Sequence, residues 1–143
     1  MTVPPTDIRW LQRLEHLDRA LALLDSVAVR PAGTLTEVEQ AGGIQFFEVT
    51  LELAWKTLKD YLEWSGLEVV PASPREVVRV ATAARVIDDG QVWLEMLAQR
   101  NLAAHTYDAN VVAQTLTMLR ERFLPALRSA HDLLHAARAE LDR

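Results

Sequence analysis

The stretch Ile44-Gln45-Phe46-Phe47-Glu48-Val49-Thr50-Leu51-Glu52-Leu53-Ala54-Trp55-Lys56-Thr57-Leu58-Lys59-Asp60-Tyr61 decides the fold. Ile44, Phe47, Leu51, Ala54, Leu58 and Tyr61 recur at alternating steps of three and four, which lines them along one face of an α-helix. Nothing in the stretch alternates with period two. Extended outward, the helix starts near Thr36 and runs to about Ser65, with Gly66 as its stop signal. Gly42-Gly43 lies inside the span and either breaks the helix or lets a neighbour approach closely.

The same reading carries to both sides. Thr6 or Asp7 caps a first helix whose stripe is Ile8, Leu11, Leu14, Leu17, Leu21 and Leu24, ended by Pro31 and Gly33. Ser73-Pro74-Arg75-Glu76 opens a third helix, with serine as cap, proline at the first helical position and glutamate three residues after the cap. Its inner face is Val77, Val80, Ala81 and Ala84. After the turn Asp88-Asp89-Gly90, a fourth helix runs from about Gln91 to His105 on Trp93, Leu94, Leu97 and Leu102. Asp108 caps a last helix from about Ala109 to Leu141, with a kink expected at Pro125. The expected fold is an all-α up-and-down helical bundle of about five helices, one domain over residues 1–143.

Bulk composition narrows the function classes. A net charge of -5 argues against non-specific duplex binding, which relies on many basic contacts to phosphate. The absence of cysteine excludes disulfides, thiolate metal sites and thiol nucleophiles. No unbroken apolar run is long enough to span a membrane, and Met1–Trp10 lacks the apolar core of a signal peptide, so a cytoplasmic protein is expected.

The segment with most chemical content is Arg100-Asn101-Leu102-Ala103-Ala104-His105-Thr106-Tyr107. On an ideal helix Arg100 and His105 stand about 140° apart, whereas Asn101 and His105, four apart, share a face. With Asp108 capping the next helix, the group gathers at a helix C-terminus, where the dipole favours cations. Such a set suits RNA cleavage by the 2′-hydroxyl: a histidine to carry protons and an arginine to hold phosphate charge. One histidine is thin for two proton transfers, and a two-fold dimer supplies a second. The same residues also suit a helix-end network that satisfies open carbonyls.

Three further patterns have a functional and a plainer reading. Glu48, Glu52, Lys56 and Asp60 repeat every four residues, as a solvated ion-paired face or, with Trp55 beside them, as a subunit interface or the rim of a cleft. His131 and His135 have the spacing of a zinc-protease helix. Aspartate replaces the glutamate base, however, and no third ligand is evident, so exposed histidines and no metal site are expected. Trp10, Trp55, Trp64 and Trp93 fit core or dimer packing better than a base-stacking platform.

Gly43-Ile44-Gln45-Phe46-Phe47-Glu48, Glu52-Leu53-Ala54-Trp55-Lys56-Thr57-Leu58-Lys59-Asp60-Tyr61-Leu62, Ser73-Pro74-Arg75-Glu76, Trp93 and Arg100-Asn101 through His105-Thr106-Tyr107-Asp108 together resemble the nucleotidyltransferase substrate-binding proteins of the HEPN superfamily. The resemblance covers nearly the whole chain. It implies a dimerising helical bundle that works with a minimal nucleotidyltransferase, a small separate chain. In one form of the family the helical chain is a substrate-binding subunit, like the helical domain of kanamycin nucleotidyltransferase. In HepT-like relatives it is the metal-independent ribonuclease toxin of a toxin–antitoxin pair, silenced when the nucleotidyltransferase adenylylates the motif tyrosine. By position, the resemblance makes Arg100 and His105 the catalytic pair, Asn101 a supporting polar residue and Tyr107 the modified residue. It implies RNA as substrate and no cofactor.

Overall fold

The computed structural model describes residues 9–104 and 108–142. Among them there is no strand. Helix α1 spans Arg9–Ala28, α2 Glu37–Trp64, α3 Pro74–Ala83 and α4 Gly90–Ala104. The last helix runs as α5, Ala109–Met118, a wide π-type turn over Leu119–Phe123, and α6, Leu124–Leu141. The proposed Thr6/Asp7 cap and Ile8 lie outside the described residues.

The quoted stretch is the centre of the bundle: α2 packs against every other helix. Its start is fixed by a reciprocal capping box in which Thr36 Oγ1 accepts from the Glu39 amide and Glu39 Oε1 accepts from the Thr36 amide. Its end is Gly66, at φ +94°, a left-handed position that glycine adopts without a Cβ clash. Gly42-Gly43 does not break it. A Cβ on Gly43 would stand 3.0 Å from Leu116 and 3.2 Å from Val27, so this glycine lets α5 and α1 close onto α2.

The core is continuous through all the helices, with Trp10, Phe47, Trp93 and Phe123 fully buried. Phe47 and Phe123 stack at 5.9 Å in its middle, and Trp10 closes one end against Tyr61 and Trp64. Segment 65–73 carries the chain back along the bundle, so that Ser73 and Arg75 sit beside Leu97 and Arg100 while Ala84–Val86 sit beside Tyr61.

Several local expectations are corrected. Ala84 is exposed, because α3 stops at Ala83 and Arg85 turns left-handed at φ +60°. In α4 the buried face is Trp93, Met96, Gln99 and Ala103, and Leu102 is half exposed. At Pro125, which has no N–H and whose ring would strike the carbonyl of Glu121, the chain widens by one residue, with the Leu124 amide bonding Leu119 O. Beyond that turn Leu127, Ala130 and Leu134 face the core.

Candidate functional site at the C-terminal end of helix α4

The last described turn of α4 is held in place from behind. Buried Gln99 donates through Nε2 to Thr115 Oγ1 at 2.8 Å, and Thr115 donates in turn to Val111 O. This pins α4 to α5 and fixes the rotation of the next residue, Arg100.

Arg100 points outward and keeps 38% of its side chain exposed. Its Nη1 donates to Asn101 Oδ1 at 3.2 Å. Its Nη2 stands 3.9 Å from Glu52 Oε2 on α2. That same Oε2 accepts from Trp55 Nε1 at 3.0 Å, and the other oxygen meets Lys56 Nζ at 2.9 Å. Lys56 also lies over the Trp55 ring, 5.8 Å from its centroid. Burial pushes the Glu52 carboxyl up. The bonds from Lys56 and Trp55 and the charges of Lys56 and Arg100 outweigh it and hold the group below the usual range. Glu52 is therefore a fixed anion that restrains the Arg100 fork.

Arg100 borders two open grooves. One, of about 360 Å³, is lined by Gln45, Glu48, Val49, Glu52 and Leu53. The other, of about 400 Å³, is lined by Ser73, Pro74, Arg75, Leu97, Ala98 and Asn101. The first is acidic. The second sets Arg75 and Arg100 beside the N-terminal turn of α3, where backbone amides favour anions.

Of the residues singled out in the sequence, the structure thus gathers Glu48, Glu52, Trp55, Lys56, Arg100 and Asn101. His105 and Tyr107 lie outside the described residues. Asp60 leaves the group. A four-residue step advances about 40° around a helix, so the polar stripe winds off the groove and into the α1/α2 seam. There Asp60 is buried, 3.0 Å from Arg13, and burial pushes its carboxyl up against the opposing pull of Arg13, Lys59 and Arg9. The sequence did not point to Gln45, Arg75 or Gln99. Arg75 stood inside the capping signature, where its neighbours had a sufficient structural role.

A second cluster corrects another expectation. His131 and His135 are half-buried rather than exposed, and α1 supplies the third group that the sequence did not reveal: Asp18 lies against both.

Residues 12–136 match the family described as nucleotidyltransferase substrate binding protein like. The chain belongs to this family. Among solved structures it is similar to a crystal structure of a protein from Thermus thermophilus. The identity is 31% and the TM-score 0.70, over 84% of this chain and 97% of that one. None of the curated proteins matches it. The family match spans every helix described above, from α1 into α6, and includes the α4 terminus and both grooves. Among the described residues, no helix is long and apolar enough to cross a membrane.

Proposed function

We propose that this chain is the helical partner of a separate minimal nucleotidyltransferase, and that it acts as a dimeric ribonuclease of the HEPN, HepT-like kind at the α4 terminus. The observation that carries the reading is the outward, half-exposed Arg100. It is held by Glu52 and Asn101 at the edge of two open grooves, five residues before His105. A buried, fully bonded arginine would have had no cation to offer a substrate.

In this reading the RNA backbone enters on the Arg75 side. A histidine takes the 2′-hydroxyl proton, and the oxygen attacks the adjacent phosphorus. Arg100 neutralises charge on the phosphorane. The second protomer's copy of His105 protonates the leaving 5′-oxygen, giving a cyclic phosphate and a free 5′-hydroxyl. The nucleotidyltransferase switches the site off by transferring AMP from ATP to the Tyr107 hydroxyl, with release of pyrophosphate.

Purified chain, incubated with RNA, is expected to cleave it. Arg100→Ala and His105→Ala are each expected to lose at least about a hundredfold in rate. Equal cleavage by all three proteins, or no cleavage by folded wild type, overturns the nuclease reading. A second reading, a non-catalytic substrate-binding subunit, is favoured by the acidic groove of Glu48 and Glu52, which suits a cationic ligand. It predicts no cleavage, and ligand binding that is lost in Glu48→Gln/Glu52→Gln.

A further inference from the structure

The α1/α6 seam is a ladder of opposite charges. Asp25 pairs with Arg128 at one end and Glu15 approaches Arg138 at the other. Between them the two middle rungs are histidines. His131 Nε2 and His135 Nε2 lie 2.5 and 2.6 Å from the same oxygen, Asp18 Oδ1. Their rings are 4.4 Å apart, and one ligand atom from each of the three residues falls within 4.8 Å of the others.

We propose that Asp18, His131 and His135 form a binding site for a divalent transition metal of the zinc class, which cross-links the first helix to the last. Histidines four apart on a helix present both Nε2 atoms to one point, and a carboxylate from a facing helix completes three ligands. The donor set is nitrogen-rich. That selects zinc and its neighbours over magnesium or calcium, which take oxygen shells.

Three features of the surroundings suit a metal. The side chains are 21%, 37% and 36% exposed for His131, His135 and Asp18, so one side of the cluster is open for entry and for a water as fourth ligand. The Asp132 carboxylate stands 3.8 Å from Nδ1 of His131, on the ring edge away from Asp18. A carboxylate there favours the Nδ1–H tautomer and leaves the Nε2 lone pair free for a metal. Both rings turn Nε2 toward a single carboxylate oxygen, Asp18 Oδ1, so the three ligand atoms already converge on one point.

Bonds of 2.0–2.2 Å around a tetrahedral ion set ligand atoms about 3.3 Å apart. The Nε2–Oδ1 pairs therefore need to open by under about 1 Å, which small side-chain rotations supply. The site lies on different helices from Arg100 and Glu52 and has no part in the cleavage proposed above.

The test titrates the full chain, first stripped with EDTA, with Zn²⁺ and separately with Mg²⁺. Binding is read by calorimetry and by thermal unfolding. Wild type is expected to bind one Zn²⁺ per chain and to gain at least about 5 °C in Tm at a hundredfold excess over Kd, with no response to Mg²⁺. Asp18→Asn, His131→Gln and His135→Gln are each expected to weaken Zn²⁺ binding by at least about tenfold. His16→Gln, an exposed histidine elsewhere on α1, is expected to leave binding unchanged. If a variant does not fold, wild type carries the test through the histidine ring ¹⁵N resonances, which should shift for His131 and His135 and not for His16. No Zn²⁺ response in wild type, or a response that His16→Gln alone abolishes, overturns the proposal.

Discussion

Arg85 occupies the left-handed region at φ +60°, directly after the last turn of α3. Its amide bonds Thr82 O, and the Val86 amide reaches back to Ala81 O at 2.9 Å. This is the closure that usually carries glycine, because it costs an L side chain about 1 kcal/mol. The Arg85 side chain is exposed and makes no hydrogen bond or ion pair among the described residues that would favour arginine there. Arg85→Gly is therefore expected to raise stability by about 1 kcal/mol, read as a higher urea midpoint at unchanged m-value. Asp18 gives a prediction in pH. Burial pushes its carboxyl up, but the hydrogen bonds and charges of His135 and His131 outweigh burial and hold it below the ordinary value. A depressed carboxyl contributes stability above the unfolded pKa of about 3.9 and loses it as pH falls through the folded value. In EDTA, Asp18→Asn should be less stable than wild type above about pH 4, and the gap should close as the solution becomes more acidic. A gap that stays constant down to acid unfolding would contradict this account.

At the scale of the element, the two adjacent glycines of α2 make opposite predictions. Gly42 has open space where a Cβ would stand, and Gly43 has Leu116 and Val27. Gly42→Ala removes backbone freedom from the unfolded chain and should stabilise by about 0.5–1 kcal/mol. Gly43→Leu must push α1 or α5 away and should cost about 1–3 kcal/mol. Thermal unfolding of the two variants should move Tm in opposite directions. The sequence made this position visible as a pair and could not say which member mattered, since the answer lies in residues of two other helices. Helix α2 itself was plain in the sequence because its apolar residues keep strict three-and-four spacing. Helix α4 was not: Val92, Trp93, Leu94, Met96 and Leu97 wrap most of its circumference, so periodicity cannot set which side faces inward. Packing against α2, α3 and α5, where Gln99 meets Thr115, selects the inward face.

At the scale of the molecule, what the sequence concealed follows one rule. The helix caps and the stripe of α2 are local, and they were readable. The Gln99–Thr115 bond and the link from Asp18 to the His131–His135 pair join residues 16, 113 and 117 positions apart, and neither the partner of Gln99 nor the part of Asp18 leaves a pattern in the chain. The Phe47–Phe123 stack is the same kind of contact, and it tests whether the bundle behaves as one unit. Phe123 closes the wide turn before Pro125 and stacks on the central helix at 5.9 Å, fully buried. Phe123→Ala opens a cavity at the place where the last helix changes register, and nearby side chains are tied into all the other helices. The expected cost is about 3–5 kcal/mol, a large share of the roughly 5–15 kcal/mol that holds a domain of this size. Because the core is continuous, the loss should appear in the whole transition. Tryptophan fluorescence, which reports on buried Trp10 and Trp93, and far-UV circular dichroism should shift together to lower urea and remain superimposable. If α5 and α6 instead melt ahead of a surviving α1/α2 pair, the two probes separate, and the last helix is a semi-independent arm rather than part of one cooperative core.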